Sequence, residues 1–193
     1  MGISAPVRFD PFADRTARDI RNSLSESFVA AISAVDPEKY LKVAGKWRDQ
    51  SLSPLYTDYI DDHLSRYGLV FNVIRAVGIH DPLQQALTVW NQSLFFEFHD
   101  HLETLWQSAT GDERQALKGL IKAAGVYIHL EQGHRKAAEG LAMKSLRLLR
   151  QYAHCLTFIA NYETLLDKLK TLDPIAPQLK IRHITKDGNK SAC

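Results

Sequence analysis

Residues 94–108 read LFFEFHDHLETLWQS. The apolar members Phe95, Phe98, Leu102, Leu105 and Trp106 recur at intervals of three and four. That spacing gathers them on one side of an α-helix and would scatter them over both faces of a strand. The reading extends outward in both directions. Upstream, Asp81-Pro82 sets a capping carboxylate before a proline whose fixed φ suits a first helical turn, and Ser53-Pro54 and Asp36-Pro37-Glu38 repeat the device. Downstream, residues 112–131 are apolar over a wide arc, and Gly133 stands where a left-handed residue would end that helix. The predicted helices are 15–34, 37–50, 54–77 (with Gly68 a point of potential breakage), 82–92, 94–108, 112–131, 135–152 and 157–171. The expected fold is all-α, an antiparallel helical bundle. Residues 1–81 form an N-terminal helical segment, 82–171 the bundle domain, and 172–193 an extended or disordered tail. Within the tail only Leu179–Ile184 alternates like a strand, and one strand cannot make a sheet.

Composition narrows the class. Hydrophobic residues make up 45% and charged residues 24% of the 193, which suffices for a packed core. No run approaches the ~18 apolar residues of a membrane-crossing helix, so no membrane partner is expected. Met1 to Asp14 lacks a basic region followed by an apolar stretch and is not expected to act as a secretory leader. Two cysteines, Cys155 and Cys193, make no disulfide framework and point to a reducing compartment, the cytoplasm. A net charge of +2 is no strong signal for nucleic acid. Partners stay unidentified, and homo-oligomerisation stays open.

The residues that can carry chemistry lie around the quoted stretch. His99 and Glu103 are four apart, on the edge of the apolar stripe. They are expected to be at least half buried, to perturb one another, and to meet a polar group from another helix. Glu97 lies nearly opposite the stripe and faces solvent unless the N-terminal helices cover it; Asp100 lies further round. Trp106 is expected in the core with Phe95, Phe98 and Leu102, against Leu120, Ala124, Tyr127 and Leu141. On the next helix Lys118, Lys122, Gly125 and His129 form a polar stripe. It is either a solvent face or a seam turned towards Glu97 or Glu103. Arg135, Lys136, Lys144, Arg147 and Arg150 read as the wet face of the helix after that.

Two functions fit. Glu97, His99, Glu103 and His129 can make an acid–base site, with His99 and Glu103 as ligands to a divalent metal. Alternatively the same groups only order the core of a non-catalytic module that binds a protein or small ligand. The spacing is neither the zincin nor the di-iron pattern, and whether the chain is an enzyme stays open.

One resemblance bears on the choice. Trp90-Asn91, Phe95-Phe96-Glu97-Phe98-His99-Asp100, Leu102-Glu103 and Trp106, followed by Gly119-Leu120-Ile121, Ala123-Ala124, His129 and Gly133, resemble the uncharacterised family catalogued as domain of unknown function number 309. The resemblance implies a helical domain and a metal-dependent hydrolase. The chain departs from the family pattern at Trp90 (phenylalanine in the family), Asp100 (glutamate), Lys118 and Lys122 (glutamines) and His134 (asparagine). The two lysines add positive charge where the family is neutral, which weighs against a cation beside them.

Overall fold

The computed structural model describes residues 8–182 and shows eight α-helices among them. They are α1 (Arg15–Ala34), α2 (Glu38–Arg48), α3 (Pro54–Val77), α4 (Pro82–Asn91), α5 (Phe95–Ser108), α6 (Gly111–Glu131), α7 (Arg135–Gln151) and α8 (Tyr162–Thr171), with a 3-10 turn at Ala153–Leu156 before α8. The all-α expectation holds. The chain divides into two compact units, the first ending at Val73 and the second starting at Ile74.

In the first unit, Asp14 caps α1 by accepting from the backbone N–H groups of Thr16 and Ala17. It also accepts from the Tyr56 hydroxyl at 2.6 Å, which ties the start of α3 to the start of α1. That hydroxyl bond holds the Asp14 carboxyl below its ordinary value. Val35, at φ 54°, closes α1: its N–H reaches Ile32 O, and the N–H of Asp36 reaches Ala31 O. Trp47 Nε1 donates to Ser23 Oγ at 2.8 Å and so joins α2 to α1. Phe28, Tyr40, Tyr67 and Phe71 form the aromatic centre. α3 runs unbroken through Gly68, because its helical bonds need no side chain there.

In the second unit, successive helices from α4 to α8 pack on one another in chain order. Asp81 caps α4 through Gln84 N–H, with Pro82 at the first helical position, as its sequence requires. Gly133 is left-handed at φ 69° and ends α6, with its N–H on Leu130 O and that of His134 on His129 O. α6 and α7 approach closely at Gly119. A Cβ there would lie 2.9 Å from Leu149 Cδ2, and Ser145 Oγ donates to the Gly119 carbonyl at 2.8 Å.

The predicted helix 157–171 starts late, at Tyr162. The residues before it serve the extended segment after α8 instead. Ala160 N–H donates to Lys180 O, Arg182 N–H to Phe158 O, and Ile159 and Ile181 make an isolated antiparallel bridge. Two asparagines hold the same segment by imitating a neighbouring strand. Asn91 accepts from Leu179 N–H at 2.7 Å and donates to Leu179 O at 2.9 Å. Asn161 accepts from Lys180 N–H and donates to Gln178 O, each at 2.8 Å. Trp90 Nε1 adds a 2.8 Å bond to Pro177 O. The expectations for Cys193 and for residues 183–193 of the tail lie outside the described residues.

Candidate functional site

α5 carries most of the candidate residues, and its burial settles where they point. Phe95, Glu97, Phe98, His101 and Leu102 are its buried positions. The buried arc is therefore centred further from Trp106 than the stripe alone suggests. Trp106 is half-buried, and the Arg114 guanidinium lies 3.9 Å above its ring. The expectation of Trp106 in the core is thus corrected. Phe95, Phe98 and Leu102 occupy the core with Trp90 and Tyr127.

Glu97 is buried to 1% exposure and does not face open solvent. His101, which the periodicity did not single out, lies one turn on and is 3% exposed. Its Nε2 is 3.1 Å from the Pro82 carbonyl, while its Nδ1 has no hydrogen-bond partner. Nε2 therefore carries the proton, and the ring is neutral with its Nδ1 lone pair inward. Burial lowers its pKa, the Pro82 bond only partly opposing that. The signal that could have found it was the Glu97–His101 spacing of four within an apolar helix.

A neutral buried histidine has a pH signature. Unfolding frees His101 to take up a proton at about its ordinary 6.5. Because the folded value is lower, its contribution to stability is complete above about 6.5. It is lost as pH falls towards and through the folded value, by at most about 1.4 kcal/mol per pH unit. His129, also lowered by burial and by the charge of His134, acts in the same direction. Denaturant unfolding between pH 7.5 and 5 should show the loss, and His101→Gln should flatten it; an unchanged slope would remove His101 as the cause.

His99, Asp100 and Glu103 form a cluster whose ligand atoms all lie within 4.8 Å of one another. His99 Nδ1 is 3.2 Å from Asp100 Oδ1, and Nε2 is 3.7 Å from Glu103 Oε1. The side chains are 29%, 28% and 49% exposed, so the cluster opens to solvent. The hydrogen-bond and ionic partners of His99 and Glu103 come from α5 itself, and the expected polar group from another helix is not among them. Glu97 and His129 stand outside this group of three. His129 sits in the last turn of α6, with its ring 5.8 Å from that of His134.

Burial lowers the pKa of Lys122, and the charges of Lys118 and Lys144 lower it further. Cys155 is not a free thiol. Among the described residues, no helix is long and apolar enough to cross a membrane.

A family model described as Domain of unknown function (DUF309) matches residues 83–141, from the first turn of α4 into α7. The resemblance read from the sequence therefore holds for that segment. No curated protein and no solved structure matches the chain.

Proposed function

We propose that the segment resembling the uncharacterised family is a helical module with a hydrolase-like divalent-cation site at His99 and Glu103. One observation carries the reading. His99 Nδ1 lies 3.2 Å from Asp100 Oδ1 and Nε2 3.7 Å from Glu103 Oε1, so the tautomer that donates Nδ1–H to Asp100 turns the Nε2 lone pair towards Glu103. Two electron-rich atoms so placed repel unless a positive charge lies between them, either a second proton or a metal ion. A carboxylate behind the far nitrogen of a ligating histidine is the usual way its tautomer is fixed. Neighbouring ligands on one ion with bonds of ~2.1 Å lie ~3.0–3.4 Å apart, so a small rotation of the Glu103 carboxylate suffices.

A bound divalent ion would supply Lewis acidity and activate water. The protein's own part is narrower: Asp100 orients His99, and Glu103 supplies charge. Solvent exposure at the cluster leaves the remaining coordination positions accessible to water and to a substrate oxygen. Glu97 and His129, which stand outside the cluster of three, are proposed as supporting groups and not as ligands.

The test is calorimetric melting with Mn²⁺, Co²⁺, Ni²⁺ or Zn²⁺. An ion at 100 times its dissociation constant stabilises the native state by about 2.7 kcal/mol. Wild type should therefore melt higher with metal. Glu103→Gln and His99→Gln should not respond, while melting within about 1 kcal/mol of wild type without metal, as suits a partly exposed pair. If wild type responds to none of the four ions, the cation site is wrong, and the module reads as a non-catalytic binding domain whose cluster is an ordinary histidine–carboxylate group.

A further inference from the structure

α7 presents to solvent a face on which basic residues outnumber the helix's single acid, Glu139. Lys136, Lys144, Arg147 and Arg150 lie on its exposed side, and Lys118 and Lys122 of α6 continue the same charge beside Lys144. None of these six forms an ion pair among the described residues, whereas Arg135 is paired with Glu139 and Lys168 with Asp173. The chain's formal net charge is only +2, so the rest of it stands at −4 once these six are set aside. The concentration is local.

The face is not uniformly polar. Met143, Leu146, Arg147, Arg150 and Gln151 line an open cleft of about 620 Å³. Met143 is 70% exposed, although a residue of its kind is ordinarily covered. An exposed, flexible thioether between arginines is suited to a partner's apolar side chain. The guanidinium groups are suited to carboxylates, which they bind in a two-pronged geometry.

We infer that the α7 face, with Lys118 and Lys122 of α6, docks an acidic protein segment that carries an apolar anchor. The anchor seats on Met143 and Leu146, and the segment's carboxylates meet Arg147 and Arg150 at the cleft and the lysines beyond it. Nucleic acid is the less suited polyanion, because no aromatic side chain lines the cleft to stack on a base, and phosphates make no use of its apolar floor. A membrane surface would need a broader apolar face than these two side chains offer. The inference does not depend on the cation site, whose residues lie on α5.

The experiment is fluorescence anisotropy with the full chain and a fluorescein-labelled synthetic peptide of glutamate, alanine and leucine. A peptide with lysine in place of glutamate and a labelled single-stranded DNA are measured beside it. The acidic peptide should bind, the lysine peptide should not, and binding should weaken as salt rises. Arg147→Glu with Arg150→Glu should weaken it at least about tenfold, because attraction becomes repulsion at two positions. Met143→Ala alone should weaken it about threefold, as expected for an apolar anchor that loses its contact. All three side chains are exposed, and circular dichroism of the variants checks that they remain folded. The inference is overturned if wild type does not bind the acidic peptide, if both variants bind it as wild type does, or if the DNA binds more tightly and displaces it.

Discussion

Trp90→Ala is expected to lower the free energy of unfolding by about 3–5 kcal/mol, the cost of emptying a large buried aromatic site. Trp90 is 1% exposed. Its ring meets Phe95 at 5.1 Å, Phe98 at 5.0 Å and Tyr127 at 5.3 Å, each edge-on, so α4, α5 and α6 all lose contacts together. The indole N–H also donates to Pro177 O. Phenylalanine at this position would fill the cluster but could not make that bond. Trp90→Phe should therefore cost less, about 1–3 kcal/mol, the range for leaving a buried acceptor unsatisfied. Faster amide exchange at Leu179 would report a loosened extended segment. Urea unfolding followed by circular dichroism gives both values. A loss below about 1 kcal/mol for the alanine variant would show that the cluster repacks without Trp90.

Helices were legible because their signals are local. Asp81-Pro82 and Gly133 act through their own φ angles and their own hydrogen bonds, and they are found doing so. The start of α8 was not legible. Residues 157–161 continue a helical pattern, but Ala160 and Asn161 bond to residues about 20 positions further on, and no local rule shows that demand. The candidate site divided in the same way. His99 and Glu103 are neighbours because a helix makes them so. Glu97 was placed by its angle, opposite the stripe and solvent-facing unless covered, whereas α5 is buried over a broader arc than its large apolar residues mark out. Trp106 was misplaced by the same error of angle, since the outermost member of a stripe is the one that neighbouring helices cover least. His101 was missed because imidazole counts as polar in a periodicity, although in its neutral form it packs as an ordinary core side chain. The polar stripe of α6 was left between a solvent face and a seam; Lys118 is exposed and Lys122 half-buried. Their concentration with α7 emerges only when the two helices are seen side by side.

Phe28→Ala should match the Trp90 variant in size, costing about 3–5 kcal/mol. Phe28 is fully buried on α1. Its ring stacks on Tyr67 at 3.9 Å and 16°, and it meets Tyr40 at 5.9 Å and Phe71 at 6.1 Å on edge. One side chain thus touches α2 and α3 at once, and its removal leaves a cavity walled by three aromatic rings. Those rings are rigid, with few rotamers that could collapse into the gap, so the cavity contribution should be near the top of its range. Phe28→Leu keeps most of the volume and should cost less than half as much, because a volume-conserving exchange loses mainly the ring contacts. Hydrogen–deuterium exchange read on peptides from α1, α2 and α3 separates a local effect from a general one. Exchange in these three helices should accelerate together in the alanine variant, since all three share the lost contact. If only α1 accelerates, Phe28 pins its own helix and does not join the three.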